Sequence, residues 1–397
     1  MRLLVTCTHS LTLATLYKGL FPFLAKNGIG VDVVIGDREY DFAGKPDFAG
    51  VTIYVIPMRR TPSLFADLVV LARWIWFLTV HRYDAIHAST PKASLLAGIA
   101  ARLTFNGPVI FVYRRRVYEL MGGAKKRFYI WIDRVIAACS RVVVPISAEL
   151  GRQLRADGIA GAKKIRLLGT GSSNGIDADY FARDAAADAA GTAMRHTLGI
   201  PEFAPLLLFL GRVCSEKGVD DLKGVFERVT ARRPDAFLLV AGPDDARDPI
   251  SAESATFVGS HPHVRRMGFV SDTKPLYAAA DVFVFPSFFE GFGNVLLEAA
   301  SMGRPAIGYD VPGVREAIAA DETGYLVPRG DTSAMADRAL ALIADPELAA
   351  RMGAAGRARV EASFRRDLIW REILALLREM APAARPNPPI TGKAATR

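Results

Sequence analysis

The sequence predicts an α/β protein built from two Rossmann-like domains in tandem. The chain has 397 residues, which allows two domains of ordinary size. Hydrophobic residues make up 51% and charged residues 23%, which is typical of a globular protein and excludes disorder of the whole chain. Short apolar runs alternate with longer helical patterns in both halves. This alternation favours parallel sheets that are covered by helices on both faces.

The first half contains a series of short apolar runs separated by amphipathic stretches. The strands expected here are Arg2–Thr6, Val31–Ile35, Thr52–Ile56, Ala85–His87, Val109–Tyr113, Arg141–Pro145 and Lys164–Leu168. The helices expected between them are Leu13–Asn27, Ser63–His81, Pro91–Phe105, Lys125–Ala138 and Ala148–Ala156.

A second alternating series follows a glycine-rich and Ala/Asp-rich connection at Gly169–Arg195. Its expected strands are Leu206–Phe209, Ala236–Val240, Arg265–Met267, Val282–Phe285, Pro305–Gly308 and Tyr325–Val327. Its expected helices are Val219–Arg232, Thr273–Ala279, Asn294–Ser301, Val314–Ala320, Thr332–Ala344 and Arg365–Met380.

These patterns set the domain boundaries. The N-terminal domain is expected at 1–175, a linker at 176–200 and the C-terminal domain at 201–363. A C-terminal helix follows at 364–382, for which packing against the N-terminal domain is one option. The last stretch, 383–397, is proline-rich at its start and is predicted to be a disordered tail.

Positive charge is concentrated in the first half of the chain. Residues 1–175 hold 24 Lys and Arg against 11 Asp and Glu, a net of +13, whereas residues 176–397 hold 26 against 30, a net of −4. Basic groups at 114–116, 125–127 and 163–164 could meet nucleic acid, anionic lipid or a polyprenyl diphosphate. Because no nucleic-acid-binding motif is found, nucleic acid is not an expected partner.

The most apolar stretch is 63–80, which reaches the lower limit of length for a membrane span. Asp67 and Arg73 interrupt it, so a packed helix is favoured over a transmembrane one, and an amphipathic face that touches lipid remains open. Three distant cysteines argue against a disulfide framework and favour the cytosol. The N-terminus predicts a buried strand rather than a signal peptide.

The strongest local motif lies at 285–313. An apolar strand ends at Phe285, and Glu290-Gly-Phe-Gly then leads into a helix that begins near Asn294. Glycines let a ligand approach the backbone, and a helix start favours anions such as a diphosphate. Glu290 and Glu298 are suited to accept hydrogen bonds from vicinal hydroxyls. The alternative is an acidic first turn that complements the helix dipole.

A second motif opens the same domain at 206–222. A hydrophobic strand ends in Gly211, and Arg212 and Lys217 lie five residues apart around a tight turn. Two cations fixed at the carboxyl end of a strand can hold a diphosphate and neutralise a departing nucleoside diphosphate. The alternative is a pair of solvated loop cations.

Together these motifs resemble the retaining glycosyltransferases of family 4. The pattern Gly-Arg-x(4)-Lys-Gly is followed about 70 residues later by Glu-Gly-Phe-Gly-x(4)-Glu, and the runs at 280–287, 310–316 and 323–327 also match. The resemblance covers nearly the whole chain. It implies the GT-B fold, in which two Rossmann-like domains face each other across a cleft.

The resemblance also implies roles for the motif residues. Glu290 would be the catalytic residue and would hold the transferred sugar, together with the backbone around it. The remaining residues implied in donor binding are Arg212 and Lys217 for the diphosphate, Glu298 for the ribose, Gly291, Phe292, Gly293 and Asn294 for the sugar and β-phosphate, and Gly268, Phe269 and Val270 for the base.

Two first-domain segments, 86–103 and 167–177, resemble a bacterial subgroup that extends sugars on undecaprenyl diphosphate in capsule, O-antigen or glycoprotein glycan assembly. This implies a cytoplasmic protein on the inner face of the plasma membrane that contacts its anionic surface. Many members carry His-x-His in the first-domain cleft, but here Ser89 replaces the second histidine. The residues assigned to the acceptor side of the cleft are His87, Ser89, Lys92, Arg114 and Lys18.

Two further patterns carry less weight. Gly169-x-Gly171-x-x-x-Gly175 lacks the spacing of a dinucleotide fingerprint, and the Asp177-x-Asp179 pair lies in the linker without other metal ligands. No metal and no cofactor are therefore expected. The predicted activity is transfer of a sugar from a nucleotide sugar, with UDP as the expected nucleotide. The alternatives are a non-hydrolysing UDP-sugar epimerase and a non-catalytic protein that binds anionic lipid or nucleic acid.

Overall fold

Twelve strands form two six-stranded parallel sheets in the computed structural model, which describes residues 1–59, 63–119 and 121–380. The strands of the first sheet are β1 Arg2–Cys7, β2 Gly30–Ile35, β3 Thr52–Val55, β4 Ala85–Ala88, β5 Val109–Tyr113 and β6 Val142–Pro145. The strands of the second sheet are β7 Leu206–Leu210, β8 Phe237–Ala241, β9 Val264–Met267, β10 Val282–Phe285, β11 Ala306–Tyr309 and β12 Gly324–Val327.

Fifteen α-helices connect these strands within the described residues. Those before β7 are α1 Ser10–Leu16, α2 Leu20–Lys26, α3 Leu64–Val80, α4 Pro91–Leu103, α5 Gly123–Cys139, α6 Ala148–Ala156 and α7 Ala185–Thr197. Those after β7 are α8 Val219–Arg232, α9 Ala252–Ser260, α10 Lys274–Ala279, α11 Asn294–Ser301, α12 Val314–Ala317, α13 Thr332–Ala344, α14 Pro346–Ser363 and α15 Arg366–Met380. None of these helices has the length and apolar character needed to cross a bilayer.

The two sheets have the same strand order. The first reads β3-β2-β1-β4-β5-β6, and the second reads β12-β11-β10-β7-β8-β9, which is the same order traced from the other edge. In each sheet the order reverses between the first strand of the domain and its fourth, β1 beside β4 and β7 beside β10. Ligands of such sheets bind beyond the carboxyl ends of the strands at this reversal. The two Rossmann-like domains predicted from the sequence are confirmed.

Burial explains why the strands read as continuous apolar runs. All residues of β5, β7 and β8 are buried, because helices cover both faces of each sheet. In the first sheet, α3 and α4 pack together over the strands, and the fully buried Trp74 of α3 lies in this core.

The chain clusters into two compact units. Among the described residues, unit 1 comprises those of 1–112, 132–143 and 373–380, and unit 2 comprises those of 113–131 and 144–372. The domain boundaries drawn from the sequence stay a prediction. The predicted disordered tail at 383–397 lies outside the described residues.

The structure differs from the predicted elements at a few places. The helix expected at Leu13–Asn27 is two helices, because Gly19 adopts a left-handed conformation with φ of +78° between them. The strand expected at Lys164–Leu168 is wrong: a short 3₁₀ helix at Ala162–Lys164 is followed by irregular chain. Helices α7, α9 and α14 were not predicted, and α7 lies within the stretch interpreted as a connection.

Candidate active site

The loop after β7 is held against the loop after β10 by a glycine. A 3₁₀ helix at Ser215–Lys217 ends at Gly218, whose φ is +68° and which also starts α8. A Cβ atom at Gly218 would overlap the carbonyl oxygen of Pro286, which directly follows β10. Only glycine fits such a close approach in this conformation. The motif Lys-Gly therefore brings Lys217 to the β10 loop.

Lys217 and Glu290 form an ion pair at this point. The Lys217 Nζ donates to Glu290 Oε1, and both side chains are only 13% exposed. Ser287 Oγ lies 3.3 Å from the same carboxylate oxygen, and the ammonium lies 5.8 Å from the centre of the Phe285 ring. Two residues that are 73 positions apart and that the motifs singled out separately are thus in direct contact.

Arg212 is held by two carboxylates. Its guanidinium donates to Asp245 and, at 3.2 Å, to Glu216. Hydrogen bonds from Arg247 and Arg212 hold the pKa of Asp245 well below its usual range, despite the opposing effect of burial. The Arg212 side chain remains 37% exposed, so the loop presents it to solvent.

Glu216 joins Arg212 to a second arginine of unit 2. Arg115 Nη2 donates to Glu216 Oε2 at 3.0 Å, and its guanidinium stacks over the Phe289 ring at 5.0 Å. Burial would raise the pKa of Glu216, but the charges of Arg115, Lys217 and Arg212 outweigh it and lower the pKa. The loop after β7 is therefore surrounded by alternating positive and negative groups.

The glycines of the Glu-Gly-Phe-Gly motif allow close backbone packing. A Cβ atom at Gly291 would overlap the carbonyl oxygen of Arg114. Gly293 caps the start of α11 and donates to the carbonyl of Gly313 at 3.3 Å. Gly313 has φ of +84°, and a Cβ there would lie 2.6 Å from the carbonyl oxygen of Glu290. These contacts fix the course of the loop that carries Glu290.

The side chains at the start of α11 differ in exposure. Phe292 is buried and packs on Phe364, whereas Asn294 is half-buried and accepts a hydrogen bond from Ser172 at 3.3 Å. The helix start therefore combines one apolar anchor with one accessible amide.

Glu298 lies one turn further along α11. The hydroxyl of Tyr277 donates to Glu298 Oε2 at 2.8 Å. Burial and the neighbouring carboxylate raise the pKa of Tyr277 well above its usual value, so the phenol stays protonated and orients Glu298.

The segment predicted to line a base pocket follows β9. The carbonyl of Gly268 accepts a hydrogen bond from Gly242 at 3.0 Å, which ties it to the end of β8. Phe269 is 71% exposed and Val270 is half-buried. An exposed aromatic ring suits the stacking of a planar base.

In unit 1, a buried network joins His87 and Ser89. The Tyr17 hydroxyl donates to Ser89 Oγ at 2.8 Å and lies 3.1 Å from His87 Nδ1. All three side chains are buried, and the Ser89 backbone N–H donates to Thr6 of the neighbouring strand. These side chains lie at the reversal between β1 and β4.

The two lysines assigned to the acceptor side lie elsewhere in unit 1. Lys92 forms an ion pair with Asp67 of α3 at 2.8 Å, and Lys18 is exposed between α1 and α2. Arg114, the fifth residue of this group, belongs to unit 2, where its carbonyl packs on Gly291.

Two acidic clusters bear on metal binding. The side-chain ligand atoms of His9, Asp37 and Glu39 lie within 4.8 Å of one another after β1 and β2. Burial would raise the pKa of Asp37, but hydrogen bonds from Ser10, Glu39 and His9 lower it, and His9 Nδ1 lies 2.6 Å from Asp37 Oδ2. In the Asp-x-Asp motif, Asp177 pairs with Arg366 and Asp179 with Arg365.

Several residues of these sites were not predicted from the sequence. Glu216 lies directly before Lys217 and could have been found from the motif itself. Arg115 was singled out only as one of the basic residues at 114–116, and its pairing with Glu216, 101 residues away, was not expected. Tyr277 is 21 residues from Glu298 and Tyr17 is 70 residues from His87, and neither carries a local signal.

Known proteins resemble this chain along most of its length. The model of the glycosyl transferase 4-like domain matches residues 19–171, and that of glycosyl transferases group 1 matches residues 204–345. The capsular polysaccharide biosynthesis glycosyltransferase CapM of Staphylococcus aureus is 31% identical over 374 residues, which cover 93% of this chain and 94% of CapM.

Solved structures share the fold. HepE of Anabaena, solved in complex with UDP and glucose, has a TM-score of 0.76 at 18% identity and covers 95% of this chain and 99% of its own. Sucrose-phosphate synthase of Thermosynechococcus elongatus has a TM-score of 0.77 at 23% identity and covers 96% and 99%. With the matched domain models and the extent of the likeness to CapM, the GT-B architecture identifies this chain as a member of the family 4 glycosyltransferases.

Proposed function

We propose that this glycosyltransferase is a retaining, metal-independent enzyme that acts in bacterial surface polysaccharide or glycan assembly. It transfers a hexosyl or N-acetylhexosaminyl group from a UDP-sugar, such as UDP-GalNAc or UDP-GlcNAc, to a saccharide on undecaprenyl diphosphate. The observation that supports the donor-binding part of this proposal is the buried Lys217–Glu290 ion pair at the β7/β10 reversal. The role of CapM in capsular polysaccharide biosynthesis supports the biosynthetic context.

In this proposal the donor diphosphate replaces protein carboxylates around the cations. Lys217 and Arg212 bind the phosphates, and the start of α11 at Asn294 adds backbone N–H groups. When Lys217 binds the phosphate, its ion pair with Glu290 breaks. Glu290 can then accept hydrogen bonds from hydroxyls of the transferred sugar. The fixed cations then stabilise the negative charge that develops on the leaving diphosphate.

The other donor contacts orient the nucleoside. Glu298, held by Tyr277, accepts hydrogen bonds from the ribose hydroxyls. The Gly268–Val270 segment receives the base against its backbone and the exposed ring of Phe269. Retention follows if the acceptor hydroxyl attacks from the face that the diphosphate leaves, and the leaving phosphate then takes the acceptor proton.

The acceptor is assigned mainly to unit 1 in this proposal. The residues proposed for it are His87, Ser89, Lys92 and Lys18 of unit 1 and Arg114 of unit 2. Ser89 follows His87 by two residues, and its hydroxyl accepts a hydrogen bond from Tyr17. A lipid-linked acceptor also requires the enzyme to work at the inner face of the plasma membrane, where the basic first half suits anionic lipid.

The test is a panel of nucleotide sugars incubated with an undecaprenyl-diphosphate-linked saccharide. We expect transfer from one UDP-sugar without added metal, and a glycosidic bond that keeps the anomeric configuration of the donor, as read by nuclear magnetic resonance. Inverted configuration would contradict the retaining mechanism. Conversion of a UDP-sugar without any acceptor would instead indicate an epimerase.

A further inference from the structure

Helix α3 presents a large apolar face to solvent. Six of its large hydrophobic side chains are between 55 and 83% exposed: Leu64, Phe65, Leu68, Val69, Trp76 and Val80. Positions four residues apart share a face of a helix, and 64, 68, 76 and 80 follow that spacing. The opposite side of α3 packs into the core of unit 1, where Trp74 and Phe77 are buried. Folding of unit 1 therefore does not explain the exposed face.

The charges on and around this face are positive. Arg73 is exposed on the face itself, and the exposed Arg82 follows the C-terminal end of the helix by two residues. The one acidic residue of α3, Asp67, is turned to Lys92 in an ion pair. An apolar face flanked by arginines is complementary to an anionic lipid surface, in which the arginines reach headgroups while the apolar side chains enter the acyl boundary.

The turn after α4 also exposes a large apolar side chain, in a backbone conformation that lowers stability. Phe105 follows α4 with φ of +49° and is 91% exposed, and the Asn106 N–H closes the turn on the Ala101 carbonyl at 3.0 Å. Glycine is the usual residue at this position of a helix end, and another residue there costs roughly 1 kcal/mol. The turn is attached to the end of α3, since Arg82 donates to the Thr104 carbonyl at 2.7 Å.

We propose that the exposed face of α3 and the Leu103–Phe105 turn, here called the α3 surface, dock the protein in plane on an anionic phospholipid membrane. The proposal rests on the lipid-linked acceptor of the proposed function and assigns the surface that brings the enzyme to it. The eight exposed apolar side chains insert into the acyl boundary of the membrane. The arginines that bind the phosphate headgroups are Arg73, Arg82 and the exposed Arg102.

Co-sedimentation with vesicles tests the α3 surface. The full chain is mixed with vesicles of phosphatidylglycerol and phosphatidylethanolamine, or of phosphatidylcholine alone. We expect preferential binding to the anionic vesicles, and a fall of roughly tenfold or more in partitioning for the double variant Phe65→Ser/Trp76→Ser. The matched control is Phe203→Ser, because Phe203 is 90% exposed in unit 2, and it should bind as the unaltered chain does.

Phe105→Gly separates docking from folding. Removing the left-handed strain should keep or raise the melting temperature, whereas loss of the aromatic side chain should lower vesicle partitioning severalfold. A variant that binds vesicles fully would overturn the role of the turn.

Three outcomes would overturn the proposal as a whole: unchanged vesicle binding by Phe65→Ser/Trp76→Ser, equal binding to neutral and anionic vesicles, or dimerisation of the chain through this face without vesicle binding. A UDP titration and transfer to a short, water-soluble acceptor are run on the same variants. Loss of vesicle binding with both intact supports docking. Absence of transfer in every variant and in the unaltered chain would instead contradict the proposed function.

Discussion

The two sheets share one strand order, yet the reversals of that order hold different chemistry. Beyond β7 and β10 lie charged side chains in ion pairs, with Lys217 and Glu290 at the centre. Beyond β1 and β4 lies a buried network in which the Tyr17 hydroxyl contacts both His87 and Ser89. The shared topology decides where the loops meet, and the loop residues decide what they can bind. Charged groups suit a diphosphate, whereas a hydroxyl network suits the positioning of a neutral sugar.

The largest expected effect is on the charged side of this comparison. Under the proposed function, Glu290→Gln should lower the transfer rate about 100- to 1000-fold, because the carboxylate contacts the transferred sugar in the transition state. Steady-state transfer assays measure this. Glu361→Gln, which removes a carboxylate from an exposed pair with Arg357, is the control and should transfer at the normal rate.

A second variant separates the cation from the carboxylate. Lys217→Met should weaken UDP binding about 10- to 100-fold, the magnitude of a charge-assisted hydrogen bond. Calorimetric titration with UDP measures it. Lys223→Met is the matched control, because Lys223 pairs with Glu227 and Glu253 on the surface of α8. Equal losses in both variants would mean that overall charge, rather than this site, binds the diphosphate.

A variant at the β1/β4 reversal should change the stability of the protein rather than its binding of the donor. Tyr17→Phe leaves buried polar groups of His87 and Ser89 without their shared hydroxyl, which should lower the free energy of unfolding by about 1–2 kcal/mol. Urea denaturation measures this change. UDP affinity should stay the same. A loss of UDP affinity would contradict the claim that only the β7/β10 reversal binds the donor.

The smallest expected effect concerns pH. Because Arg115, Lys217 and Arg212 lower the pKa of Glu216, its ionised form stabilises the fold above the usual value of 4.5, and this stabilisation is lost as the pH falls through the lowered pKa. The difference in unfolding free energy between the unaltered chain and Glu216→Gln should be about 1 kcal/mol or less at pH 6 and should shrink at pH 3. A difference that grows on acidification would contradict the sign.

The sequence predicted the features that are local and missed those that depend on distant contacts. The strands were predicted because buried parallel strands are continuous apolar runs. Lys217 and Glu290 were singled out because each lies beside a glycine that its loop requires. The Arg115–Glu216 pair and the position of Tyr17 depend on the folded sheet order. The break at Gly19 was missed because an apolar helical pattern continues across it.

The central claim is that the diphosphate takes Lys217 from Glu290. UDP carries the diphosphate but no transferred sugar, so Glu290 has no ligand to hold in a UDP complex and only competes for the cation. Calorimetric titration of Glu290→Gln with UDP tests this directly. The account predicts that Glu290→Gln binds UDP at least as tightly as the unaltered chain. The affinity should be up to a few-fold higher, because UDP no longer has to break the Lys217–Glu290 ion pair. A loss of UDP affinity as large as that of Lys217→Met would contradict it.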